Sequence, residues 1–115
     1  MPERSSSSVR VFYPKFDRAG LVRALREGVE RLEAELPLRR VVLFGSYTKG
    51  RYTVASDVDV LVIYEDPPRA HAYALIKRTL NVPRLEPHCY SEAEYEAVAS
   101  TVDRMIEGGV TILSR

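Results

Sequence analysis

The stretch that decides the fold is residues 43–62, LFGSYTKGRYTVASDVDVLV. It starts in an apolar run, breaks at a Gly-Ser pair, and ends in a second apolar run headed by two aspartates. Uninterrupted apolar runs of this length are typical of strands buried on both faces. We therefore predict buried strands over 39–44 and 58–64. Between them, residues 47–52 are predicted to form one short helical turn that Gly50 ends.

Two acids stand at the start of the second predicted strand. Asp57 and Asp59 are two residues apart, so their side chains lie on the same face, while Val58 and Val60 point into the core. Neighbouring carboxylates repel each other unless a cation lies between them. Hard oxygen ligands of this kind suit Mg²⁺ or Mn²⁺. The pair predicts a metal site, although acids at a strand start are often no more than a solvated edge.

The Gly-Ser break between the strands has the features of an anion-binding turn. Gly45 lets the backbone approach a phosphate, and a short helix after it offers free N–H groups. Ser46 adds a hydroxyl donor, and Lys49 and Arg51 follow closely enough to hold phosphate oxygens. A plain turn with solvated charges is the alternative for each residue alone. Together with the acids, the turn is most simply explained by a triphosphate whose metal ion the carboxylates hold.

The rest of the chain alternates helix and strand signals. Three further helices are predicted: one capped by Asp17 and ended by Pro37, one that starts at Asp66-Pro67-Pro68, and one capped by Ser91 and Glu94 and stopped by Gly108. Two further strands are predicted over 84–90 and 110–113. Pro87 places its strand at a sheet edge. The predicted fold class is α/β (α+β), a small mixed β-sheet covered by helices.

Length, charge and cysteine content limit the classes of protein to which the chain can belong. With 115 residues the chain predicts one domain, residues 9–115, behind a disordered polar tail, residues 1–8. Seventeen basic residues against 16 acidic ones give a net charge of +1, so we expect neither direct binding to nucleic acid nor binding to a membrane surface. The lone Cys89 excludes an internal disulfide and favours the cytoplasm. Cys89 is three residues after Glu86 in the same predicted strand, so the two side chains point to opposite faces of the sheet. Cys89 is therefore predicted to be a core residue.

The pattern Gly45-Ser46-x10-Asp57-x-Asp59 resembles the signature of the DNA polymerase β-like nucleotidyltransferase superfamily. It is most similar to the minimal nucleotidyltransferases (MNT), which often pair with a HEPN-domain protein. The resemblance covers residues 18–113. It implies the nucleotidyltransferase fold and an enzyme of the EC 2.7.7 type. Such an enzyme uses a divalent metal to transfer a nucleotidyl group, usually AMP from ATP, to an acceptor hydroxyl.

The resemblance also implies a third carboxylate on a later strand, and Glu86 is the matching residue. Aspartate is commoner there, and an exposed acid on an edge strand is the alternative. The implied metal ligands and catalytic residues are Asp57, Asp59 and Glu86, and the implied nucleotide-binding residues are Gly45, Ser46, Lys49 and Arg51. His88 shares the face of Glu86, so lining the cleft is one alternative for it, but we expect it to be a surface histidine.

Three interpretations follow for the function. The first is an active nucleotidyltransferase, with the resemblance implying a HEPN-type partner and the antitoxin role in a toxin–antitoxin pair. The second is a non-catalytic subunit that neutralises a partner by contact. The third, an unrelated Asp-x-Asp sugar-nucleotide transferase, normally needs a far longer chain. The presence of all three candidate acids favours the first.

Overall fold

A computed structural model of the chain describes residues 17–50, 52–53 and 55–115. The predicted tail 1–8 and residues 9–13, a β-prone run that predicts a short N-terminal strand, lie outside the described residues. In chain order the elements are α1 (Arg18–Glu33), β1 (Leu38–Phe44), a 3₁₀ helix (Gly45–Thr48), β2 (Val58–Tyr64), α2 (Ala72–Leu80), β3 (Leu85–Ser91), α3 (Glu92–Ala97), α4 (Ala99–Met105) and β4 (Val110–Ser114). No helix in this described part is long and apolar enough to cross a membrane.

The four strands form one mixed sheet in the order β3-β2-β1-β4. Strand β1 runs antiparallel to β2 and β4, whereas β2 and β3 are parallel. The predicted fold class is therefore confirmed. Pro87 lies in the edge strand β3, as predicted, where its missing N–H costs least. This topology brings the end of β1 and the starts of β2 and β3 to one end of the sheet.

Apolar side chains cover both faces of the sheet, which explains the unbroken apolar runs at 41–44 in β1 and 60–64 in β2. One face packs against α1 and α2 in the main core, which includes Val58, Val60 and Val62. The other face packs against α4 in a smaller cluster of Val42, Phe44, Leu61, Ile63, Val102 and Ile106. Asp59 alternates with the main-core valines, so it lies on the face of the smaller cluster.

The predicted limits of the first two helices need correction. Asp17 caps α1 as predicted, because its carboxylate accepts a hydrogen bond from the Gly20 N–H at 2.8 Å. The helix nevertheless ends at Glu33, short of Pro37, in a tight turn over 34–36. The predicted start of α2 at Asp66 was wrong, because α2 begins at Ala72. Asp66 instead accepts a hydrogen bond from the Ala93 N–H in the first turn of α3.

Two further predictions were wrong in detail. The single helix expected after Ser91 is two short helices, because the chain leaves helical geometry at Val98, with φ −129°. Val98 fits the helical spacing but is 40% exposed, so it does not belong to the buried stripe. The capping box of Ser91 and Glu94 is confirmed. The short turn after β1 begins at Gly45 rather than at Tyr47, directly where the strand ends.

The buried centre of β1 allows a direct test of the fold. Leu43 is fully buried in the main core. We expect Leu43→Ala to lower the free energy of unfolding by about 2–4 kcal/mol, because the lost methyl groups leave a cavity. Urea unfolding followed by circular dichroism measures the change. Val98→Ala is the control, and an equally small loss in both variants would contradict this packing.

Candidate active site

The candidate site residues of three adjacent strands meet at one end of the sheet. Asp59 is opposite Phe44, the last residue of β1, in the antiparallel register. On its other side Asp59 is level with Glu86 in the parallel register. The turn after β1, the acid pair and Glu86 therefore lie side by side, although they are distant in sequence.

Gly45 and Asp59 are in close contact. Gly45 has φ +86°, a conformation that favours glycine. A Cβ atom placed on Gly45 would lie 2.6 Å from Oδ2 of Asp59, much closer than two such atoms can approach. The glycine of the turn thus makes the space that the Asp59 carboxylate occupies. This contact joins the two halves of the sequence pattern physically.

The other oxygen of Asp59 contacts a histidine from β3. Nε2 of His88 lies 3.2 Å from Oδ1 of Asp59, and the two side chains are 34% and 28% exposed. The imidazole also contacts the Phe44 ring, with centroids 5.1 Å apart and planes inclined by 60°. His88 is therefore a partly buried residue at the site and not the surface histidine we expected. The only sequence signal was its position two residues after Glu86.

Asp57 has a different basic partner. Nη2 of Arg84 lies 3.1 Å from Oδ1 of Asp57, and Nε of Arg84 donates to the Ser56 carbonyl at 3.3 Å. Both charged side chains are about half exposed, so the ion pair contributes little to stability. Arg84 adopts φ +61°, unusual for a residue that is not glycine. Sequence analysis did not single out Arg84, because its place beside Asp57 depends on the parallel pairing of β2 with β3.

The predicted phosphate turn is a compact 3₁₀ helix. Its first carbonyl, that of Gly45, accepts a hydrogen bond from the Thr48 hydroxyl at 2.9 Å. Ser46 is half-buried, and the exposed Lys49 closes the turn by donating its backbone N–H to the Ser46 carbonyl. Arg51 lies outside the described residues. The turn therefore places Ser46 directly after the glycine that lies against Asp59, and Lys49 at its end.

Two groups near the site have raised pKa values. Burial is the main cause that raises the pKa of Tyr47, with a further contribution from Tyr52, which stacks on it at 4.4 Å. The positive charge of Arg84 opposes this shift. Burial also raises the pKa of the Cys89 thiol, which packs against the main core as predicted. Both groups stay protonated at neutral pH, so Cys89 is not an activated nucleophile.

The three candidate acids share one end of the sheet but do not form a closed metal centre. Among the described residues, no group of three or more His, Cys, Asp or Glu side chains is close enough to hold a metal ion. Asp57 faces Arg84, Asp59 faces His88, and Glu86 is exposed. The donor atoms offered by the acids are carboxylate oxygens, which suit Mg²⁺ or Mn²⁺.

The family model described as "Nucleotidyltransferase domain" matches residues 22–107. The chain belongs to this family. The match includes the turn, the acid pair and Glu86, and it confirms the resemblance to nucleotidyltransferases.

Two relatives come from Methanocaldococcus jannaschii, and each is described as a "putative protein adenylyltransferase". One is 37% identical over 43 residues, or 36% of this chain and 43% of the relative. The other is 55% identical over 31 residues, or 27% of this chain and 31% of the relative. The matched stretches thus span less than half the length of each relative.

Two crystal structures share the fold of this nucleotidyltransferase-family chain. A nucleotidyltransferase from Sulfolobus solfataricus, described as putative, superposes with a TM-score of 0.61 at 20% identity, over 86% of this chain and 85% of the other. A chain of a toxin–antitoxin complex with AMP-PNP superposes with a TM-score of 0.56 at 16% identity, over 78% and 73%. At these identities the likeness shows the fold alone.

Proposed function

We propose that this chain is a metal-dependent nucleotidyltransferase that transfers AMP from ATP to an acceptor hydroxyl. The proposal rests on the contact between Gly45 and Asp59. This contact joins the turn that we assign to phosphate binding to a carboxylate on a rigid strand. Membership of the nucleotidyltransferase domain family supports the reaction class.

Each group at the site has a distinct role in this proposal. Gly45, Ser46 and Lys49, together with Arg51, hold the β- and γ-phosphates of the nucleotide, because they supply backbone N–H groups, a hydroxyl and positive charge. Asp57, Asp59 and Glu86 hold Mg²⁺ or Mn²⁺. When bound, the divalent ion neutralises the negative charge that develops on the phosphate oxygens.

The reaction itself is an in-line displacement. The acceptor oxygen forms a bond to the α-phosphorus, the bond from the α-phosphorus to the bridging oxygen breaks, and pyrophosphate leaves. The acceptor hydroxyl must lose its proton, and we assign its removal to the carboxylate of Glu86, which is exposed and level with Asp59 in the sheet. The protein supplies mainly position and charge, since both reacting groups come from the substrates.

We further propose that the acceptor is a protein hydroxyl, such as a tyrosine of a HEPN-type toxin that this chain neutralises. The relatives described as protein adenylyltransferases and the fold shared with a toxin–antitoxin chain support a protein partner. Within the described part of the chain, strand β4 lies at the edge of the sheet, and its residues are at most half-buried. Such an edge can pair with a strand of another chain.

Label transfer from ATP tests the proposal. The chain is purified from its native host together with any protein that co-purifies with it, then incubated with Mg²⁺ and ATP labelled on either the α- or the γ-phosphate. We expect the α-label, but not the γ-label, to appear on the partner, and mass spectrometry should locate AMP on a hydroxyl. Label on a small-molecule hydroxyl alone would overturn the protein-acceptor proposal but keep the transferase.

The alternative is a non-catalytic subunit that neutralises its partner by contact. The absence of a closed three-ligand cluster among the described residues is the observation that favours it. A stable complex that carries no α-label, with Mg²⁺ and ATP in excess, would replace the transferase with this function.

A further inference from the structure

We propose that His88 is a positioning residue that orients the Asp59 carboxylate for a divalent cation. The inference rests on the proposed function, because it assigns how that same site is prepared. Its basis is the contact between Nε2 of His88 and Oδ1 of Asp59 at 3.2 Å, between two side chains that are both partly buried.

The two oxygens of Asp59 have different neighbours. Oδ2 lies against Gly45, where any side chain would collide with it. Oδ1 accepts a hydrogen bond from the His88 imidazole when Nε2 carries the proton. The hydrogen bond to Oδ1 therefore favours one orientation of the carboxylate, in which Oδ2 occupies the space that Gly45 leaves free. A carboxylate held in this way loses little freedom when it binds a cation, which raises its affinity.

The imidazole is itself held in place. The Phe44 ring, which is 6% exposed, lies against it with centroids 5.1 Å apart. His88 is level with Leu61 in the parallel register, two residues beyond Asp59 on the same face. Phe44, Asp59 and His88 come from three adjacent strands, so the arrangement depends on the sheet rather than on a loop.

Two substitutions separate the hydrogen bond from the ring packing. His88→Gln keeps an amide N–H that can donate to Asp59 but removes the ring. His88→Phe keeps a ring against Phe44 but removes the donor. Binding of Mn²⁺, followed by electron paramagnetic resonance without nucleotide, reports on the site independently of turnover. His71→Phe is the matched control, because His71 lies at the start of α2.

We expect His88→Phe to weaken Mn²⁺ binding by about 10- to 100-fold, the usual cost of losing a hydrogen-bond partner of a metal ligand. His88→Gln should retain most of the affinity, and His71→Phe should match the wild type. In transfer assays, His88→Phe should raise the KM for Mg²⁺ more than it lowers kcat at saturating Mg²⁺. Thermal melting verifies that each variant is folded.

Each other outcome overturns the inference. Wild-type affinity in both His88 variants, or a loss in His88→Gln alone, would show that the hydrogen bond does not matter. An equal loss of Mn²⁺ affinity in His88→Gln and His88→Phe would indicate that the imidazole coordinates the ion directly. If the wild type binds Mn²⁺, these results leave the proposed function intact. If the wild type binds no Mn²⁺, the metal-dependent function fails and this inference fails with it.

Discussion

Gly45→Ala should reduce nucleotidyl transfer about 100-fold, because displacing a reacting or binding group by about 1 Å can cost that much. The added Cβ would lie 2.6 Å from Oδ2 of Asp59, so the carboxylate must move away from the turn. Gly45 also has φ +86°, where an L-residue costs about 1–2 kcal/mol. We expect the protein to remain folded with a correspondingly lower free energy of unfolding.

Gly108→Ala is the control for this variant. Gly108 has a similar φ of +79°, but a Cβ on it would have no other atom within 4 Å. It should therefore show a similar loss of stability in urea unfolding and full transfer activity. Undiminished activity in Gly45→Ala would mean that the contact between Gly45 and Asp59 is not part of the working site.

The limits of the strands were predicted better than those of the helices, because the two kinds of element leave different patterns in the sequence. The limits of β2 match the predicted 58–64, because the unbroken apolar run at 60–64 and the Val58-Asp59 alternation before it both indicate a strand. The last helix was predicted as one piece because Val98 satisfies the helical spacing. Spacing does not reveal whether a residue is buried, and the exposed Val98 marks the point where α3 and α4 separate.

The candidate site was only partly readable from the sequence. Gly45, Asp57 and Asp59 stand close together in one stretch, so their residue types and spacing predict a site. Arg84 and His88 lie about 30 residues later, Arg84 directly before β3 and His88 within it. Their contacts with the acids follow from the parallel register of β2 and β3, which local sequence does not encode. Both basic partners were therefore found only in the structure.

This pairing changes how the acids are understood. Two carboxylates on one strand face would repel each other in the absence of a cation. In the structure Arg84 forms an ion pair with Asp57, and Nε2 of His88 lies within hydrogen-bond distance of Asp59, so each acid has a partner within the chain. A divalent ion that binds Asp57 must compete with the guanidinium of Arg84.

Asp59→Asn should abolish metal-dependent transfer, with a loss of activity of at least about 100-fold. Removing a residue that only hydrogen-bonds to a metal ligand already costs about 10- to 100-fold in affinity or activity, and Asp59 is proposed as a ligand itself. The fold should change in stability by less than about 1 kcal/mol, because the amide oxygen of asparagine can still accept the hydrogen bond from His88. Transfer of the α-label and urea unfolding measure the two effects. Asp103→Asn is the control, an acid of α4 that accepts a hydrogen bond from the Tyr95 hydroxyl. If Asp59→Asn unfolds the chain, Asp59 is a structural residue, and its assignment as a metal ligand is wrong.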